Sequence, residues 1–262
     1  LTIVEGETMA FKNILLEKKD GAAKITINRP PLNILDIPTL EEMNQALAEL
    51  KDDDEVKVVV ITGSGEKAFS AGVAVGDHLG DKLPKMVEVF HKLFLSLIKV
   101  DKPTIALVNG VALGGGCEIV AGCDMAVASE KAQLGQPEIK LGVYPPPASV
   151  LFPRILGRQK AFELILSGDS ISAKEAERIG LVTKAVPDAE FKKASDEFIK
   201  RFTANSGLAL TQARRALYRN FDLNFYEALE ATGVDATMVM AGENSIEGLT
   251  AFLEKRKPIW IR

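Results

Sequence analysis

Two carboxylates and a run of glycines hold most of the chemistry legible in this chain. Gly114, Gly115 and Gly116 are consecutive, and Glu118 follows them by two residues. The glycines join an apolar, strand-like run at 104–108 to an apolar, helix-like run that begins near Gly116. Glycine lets a backbone approach a ligand closely, and a helix start presents unpaired N–H groups at its positive dipole end. That combination suits an oxygen that becomes anionic during a reaction. Glu118 beside it can serve as acid or base, although acidic residues also favour a first helical turn for its own sake. A second carboxylate, Glu138, stands in Gln136-Pro137-Glu138-Ile139. Alone it reads more readily as a polar loop residue. Paired with Glu118 beside an anion site, it makes an acid–base couple.

Competing chemistries find less support. The run from Gly63 to Ala68 fits a dinucleotide fingerprint formally, but such a site needs a helix to open at once. Gly72, Gly76 and Gly80 follow instead and disfavour one. No Gly-Lys-Ser/Thr follows Gly110–Gly116, and no Gly-x-Ser-x-Gly elbow occurs. The two histidines, His78 and His91, read as a loop residue and a helix residue. Metal-ligand spacing is missing, so no metal is expected. Cys117 and Cys123 lie in an apolar stretch and read as reduced core thiols of a cytoplasmic protein.

The chain has 262 residues, 47% of them hydrophobic and 26% charged, enough for one large domain or a core with an appendage. Its net charge of -4 argues against general nucleic-acid binding. The most apolar window, 106–128, is interrupted by Asn109, Glu118 and Asp124, so a membrane span is not expected. Residues 1–8 precede Met9 and read as an added leader or an over-extended start.

The elements that must position the glutamates alternate in type. Residues 14–18 and 24–27 read as paired strands around the turn dipeptide Asp20-Gly21. Pro30-Pro31 breaks the chain, and helical spacing follows over 39–50, with Thr39 as N-cap and Glu42 as its capping-box partner. A buried strand is expected at 56–62, a helix over 85–100, and further strands at 104–108 and 125–128. This β-α-β alternation favours a layered α/β core. From Ser149 onward the pattern turns helical: 161–167, 173–179, 191–203, 208–220, 225–240 and 245–254.

Taken together, these segments resemble the crotonase, or enoyl-CoA hydratase/isomerase, superfamily nearly end to end. Lys67-Ala-Phe-Ser-Ala-Gly72-Val73 resembles the family's first oxyanion-hole loop. Asn109 to Glu118 resembles the second, and Gly135-Gln-Pro-Glu138 the segment carrying the second glutamate. Leu156-Gly157, Ala173 to Val182, and Glu247-Gly248 through Lys257 match later landmarks. The resemblance implies an α/β, crotonase-type spiral of β-β-α units with a C-terminal helical region. A core at 9–200 would be followed by helices at 201–262 that make oligomer and CoA contacts, in homotrimers that pair into homohexamers. It implies an acyl-CoA thioester substrate and no cofactor beyond the CoA that the substrate carries. The thioester oxygen would lie between the N–H groups of Val73 and Gly115, with Ala71, Gly72 and Gly114 lining the site. Glu118 and Glu138 would hold one water across a double bond, Glu118 mainly activating it and Glu138 mainly delivering the proton to carbon. Alternatives on the same scaffold are an isomerase, a thioester or ring hydrolase, and a non-catalytic acyl-CoA- or RNA-binding homologue. Both glutamates and the negative net charge speak against the last.

Two departures from the family pattern stand out. Ala74 and Gly76 replace an acid and a lysine near CoA, which leaves Lys255 and Lys257 as candidate phosphate contacts. Tyr144-Pro145-Pro146-Pro147-Ala148-Ser149 replaces a glycine-rich turn near the acyl group. Three prolines are expected to stiffen that loop and reshape the pocket lined by Tyr144, Pro145 and Pro146. This loop and Arg29 to Asp36 are similar to those of hydratases acting on cyclohexa-1,5-diene-1-carbonyl-CoA in anaerobic aromatic degradation.

Overall fold

The computed structural model describes residues 11–261, so the leader read at 1–8 lies outside the described residues. Asp20 and Gly21 both take positive φ, 50° and 78°, the signature of a tight hairpin turn. They close β1 (Ile14–Lys19) onto β2 (Ala22–Ile27) as an antiparallel pair. After α1 (Ile37–Lys51) the chain repeats one pattern three times. First come β3 (Val58–Gly63), β4 (Ala68–Ser70) and α2 (Leu83–Lys99). Then come β5 (Thr104–Val108), β6 (Val111–Leu113) and α3 (Gly115–Gly122). The third turn is β7 (Met125–Ser129), β8 (Gln133–Gly135) and α4 (Pro146–Leu156). Next follow α5 (Arg158–Ser167), β9 (Ser170–Ser172), α6 (Ala173–Arg178) and β10 (Lys184–Val186). The chain ends in α7 (Phe191–Thr203), α8 (Gly207–Asn220), α9 (Phe225–Met240) and α10 (Glu243–Leu253).

In each repeat the first strand joins a large sheet and the second a small one. The large sheet runs β1-β2-β3-β5-β7-β10 and the small one β4-β6-β8-β9. This is the expected spiral of β-β-α units, with parallel pairing at its centre. Strand β3 is apolar at successive positions because both faces are covered. Val59 and Ile61 enter the main core with α1 and α2, whereas Val58 and Val60 pack under Phe198 of α7.

Several expectations need correction. Asp36, not Thr39, caps α1: its carboxylate accepts from the Thr39 N–H at 3.0 Å and from the Thr39 hydroxyl at 2.6 Å. The helix starts before Thr39 because Pro38 fits a first turn, where its missing N–H removes no bond. Glu42 does not close a capping box; it accepts from the N–H groups of Lys12 and Asn13 instead. The tri-proline segment is not a stiffened loop but the start of α4, with Pro146 and Pro147 as its first two residues. Nor is the second half purely helical, since β9 and β10 each add a strand.

Helix α8 is tied to the core by one buried cation. Arg214 donates to Asp124 at 2.6 Å and to the Leu97 and Ile98 carbonyls at 2.7 Å each. Tyr218 donates to the other Asp124 oxygen, and the Thr104 N–H and hydroxyl complete the set. Removing one partner of such a cluster strands a charge away from water. Arg214→Ala is therefore expected to lose about 3 kcal/mol of stability in urea unfolding. A loss below about 1 kcal/mol, the range of exposed pairs, would show that Arg214 is not the tether.

Candidate active site

Three segments singled out in the sequence meet at one end of the small sheet. Strands β4, β6 and β8 are parallel neighbours, and their last residues lie close to register: Ser70 opposite Ala112, and Leu113 opposite Gly135. Chain leaving β4 carries Ala71 to Val73, chain leaving β6 carries Gly114 to Glu118, and chain leaving β8 carries Gln136 to Glu138. The carboxyl ends of parallel strands are where α/β folds commonly place their chemistry.

The triplet of glycines is set by contact on three sides. A Cβ on Gly116 would overlap the Ser70 carbonyl oxygen, so α3 can seat on β4 only with glycine there. On Gly115 it would stand 2.8 Å from Cγ2 of Val73, and on Gly114 2.8 Å from Oε1 of Glu138. The two glycine-bearing loops and the second glutamate are thus immediate neighbours.

Backbone donors in the first loop are assigned one by one. The Ala71 N–H bonds the Leu32 carbonyl at 2.9 Å, Gly72 the Ser70 hydroxyl at 3.1 Å, and Ala74 the Leu35 carbonyl at 3.0 Å. Only Val73 in this run has an N–H without a partner among the described residues. The Gly115 N–H, in the first turn of α3, likewise has no partner among them. Asp77 braces this loop from behind, accepting from the Ile37 N–H at 3.1 Å and from Lys82 at 3.1 Å.

Glu118 is 2% exposed, and its Oε1 accepts from the Ala148 N–H of α4 at 2.8 Å. Burial raises its pKa to about 8; the Ala148 bond pulls the other way, and the Glu138 charge adds to the rise. Glu138 is half-buried, and loss of water raises its pKa to about 7, against the pull of its own backbone N–H. With its nitrogen turned toward the carboxylate, the buried Gln136 amide reaches both Glu138 oxygens at 3.1 Å; the opposite orientation would set oxygen against oxygen. The Cys117 thiol is kept protonated by burial first, then by both glutamates. Two carboxyls that interact this way titrate as a unit.

Sequence reading missed Ala148 and Gln136. The signal for Ala148 was present: it is the first residue after Pro145-Pro146-Pro147 able to donate an N–H. Tyr144 is exposed, and Pro145 and Pro147 are buried. Lys255 and Lys257 are exposed beyond the end of α10, with Arg256 between them paired to Glu247 and Glu254. Among the described residues no cluster of His, Cys, Asp and Glu could hold a metal, and no helix is long and apolar enough to cross a membrane.

The chain is similar to known proteins over nearly its whole length. A family described as enoyl-CoA hydratase/isomerase matches residues 17–262. The short-chain-enoyl-CoA hydratase of Clostridium acetobutylicum is 37% identical over 257 residues, covering 95% of this chain and 97% of that one. A crotonyl-CoA hydratase of Syntrophomonas wolfei is 36% identical over 258 residues, covering 97% and 99%. Among solved structures, an enoyl-CoA hydratase from Bacillus anthracis superposes with a TM-score of 0.92 at 31% identity, covering 95% of this chain and 99% of that one.

Two raised carboxyls have a measurable consequence for stability. Above the ordinary glutamate range, near pH 4.5, the folded chain holds protons that the unfolded chain has released. Stability contributed by the pair is complete below that range and is lost as pH rises through about 7 and about 8. Glu118→Gln should match the parent near pH 4.5 and exceed it by on the order of 2 kcal/mol at about pH 8 in urea unfolding. A variant no more stable than the parent at the higher pH would refute the raised carboxyl.

Proposed function

The chain belongs to the enoyl-CoA hydratase/isomerase family, and from that membership we propose that it adds water across the C=C bond of an α,β-unsaturated acyl-CoA thioester. The observation that carries this reading is the juxtaposition of two unpartnered N–H groups with two carboxyls whose proton affinity burial raises. The thioester oxygen lies between the N–H groups of Val73 and Gly115. A water held between Glu118 and Glu138 gives its oxygen to the β-carbon, and the pair delivers a proton to the α-carbon. Charge moves onto the thioester oxygen as the new C–O bond forms. Each fixed donor opposes that cost by about 3 kcal/mol, and the α3 dipole adds to it. Ala71, Gly72 and Gly114 shape the wall around that oxygen.

Two carboxyls distinguish hydration from isomerisation, for which one base suffices. No cofactor enters this reaction beyond the CoA of the substrate. Lys255 and Lys257 supply charge for the CoA phosphates. An alicyclic dienoyl-CoA of the cyclohexa-1,5-diene-1-carbonyl type is the preferred acyl group, supported by the Tyr144–Pro145–Pro146 segment beside Glu118. A trimer or hexamer accords with the exposed Phe225, Tyr226, Leu229 and Met238 of α9. A cytoplasmic setting accords with the free, buried Cys117 and Cys123.

Loss of enoyl absorbance on a panel of thioesters is the direct assay; release of free thiol would indicate a hydrolase instead. Glu118→Gln and Glu138→Gln should each lower kcat by about a hundredfold or more. Near-parental rates in both would remove the mechanism. On the same panel the cyclic diene should exceed crotonyl-CoA in kcat/KM, and a straight-chain preference would overturn the acyl assignment.

A further inference from the structure

Helix α4 begins with two residues that cannot donate a hydrogen bond. Pro145 is its N-cap, Pro146 and Pro147 are its first two residues, and Ala148 is its third. A helix start ordinarily offers several free N–H groups converging on one point, and a carboxylate placed there accepts from more than one. Glu118 stands at that point and receives a single bond, from Ala148 to Oε1 at 2.8 Å. Its other oxygen accepts none from the described residues. The proline pair is therefore placed where it strips the donors next to the one that Glu118 uses. Burial of Pro147 and Ala148 keeps solvent from replacing those donors.

We infer that Pro146 and Pro147 are positioning residues for Glu118, limiting it to one fixed donor so that its second oxygen stays free for the reacting water. The inference rests on the hydration reading of the Glu118–Glu138 pair. Each additional N–H would bind the carboxylate form, compete for the lone pairs that water needs, and lower the proton affinity of the pair. The groups acting on Glu118 are few. Glu138, from the turn Pro137–Leu141, supplies charge, and α4 supplies the Ala148 N–H. The faces of α2, β4, β5, β6 and β7 packed on α3 add no charge to it among the described residues. Cys117 beside it stays a neutral thiol.

The test is Pro147→Ala, which returns one N–H to the first turn while keeping a good helix former. The expected result is a folded protein whose alkaline limb of kcat moves down by about one pH unit. Its kcat falls about tenfold with little change in KM. Unchanged kcat and an unchanged alkaline limb in folded Pro147→Ala would overturn the inference. Pro146→Ala restores the neighbouring donor and has the same expectation, so misfolding of the first variant does not remove the test. Should the parent fail to hydrate any enoyl-CoA, the hydration reading falls. Carbon NMR titration of the Glu118 carboxyl in parent and variant then decides the donor count by itself: a lower midpoint in the variant supports it, and an equal midpoint overturns it.

Discussion

Three strands of three residues each, ending side by side, are the constraint on which the rest of this structure depends. β4, β6 and β8 are too short to be stable alone. Their register is held by longer partners in the large sheet, because each short strand follows directly from one of them. Where the short strands stop, one delivers a loop with a free N–H, the next a helix start, and the third a carboxylate. The glycine triplet is the price of bringing those ends so close. With any side chain at Gly116, α3 could not rest on the Ser70 carbonyl. The unpartnered donors would then separate.

The same closeness sets the electrostatics. Scarcity of water raises the proton affinity of both carboxyls, the Glu138 charge adds to it at Glu118, and the fold opposes this with few donors. Ala148 gives one bond to Glu118, and the Gln136 amide spans both oxygens of Glu138. Full pairing with cations would have made a more stable and chemically inert cluster. Arg214 and Asp124 show that alternative elsewhere in this chain, where a carboxylate meets a guanidinium, a phenol and a hydroxyl. One cluster is satisfied and holds α8 in place; the other is left short of partners and faces the site.

How much of this could be read beforehand follows from the length of each signal. The hairpin at Asp20-Gly21, the apolar face of α2 from Met86 to Leu97, and strands β3, β5 and β7 of the large sheet all have several residues behind their pattern. Strands β4, β6, β8, β9 and β10 do not; at three residues they have no period to detect. The start of α1 differs because Thr39 looks like a cap, whereas Asp36, three residues earlier, supplies the capping carboxylate and has a helix-compatible proline two residues after it. Glu118 and Glu138 were legible as residues. Their partners were not: Gln136 looks like any loop amide, and Ala148 acts through its backbone. The three prolines were read as a rigid loop because loss of donors suggests irregular structure. A helix start is the one regular place where that loss is harmless.

One feature of the first loop bears on how such a site is to be probed. Val73 offers its backbone N–H to the site, and its side chain meets the Gly115 backbone. A scan that trims side chains to alanine would leave that N–H in place and report the position as tolerant. The glycines would look merely structural. Half of the proposed machinery is thus written in main-chain geometry, and only replacing an amide by an ester, atom for atom, would make it visible.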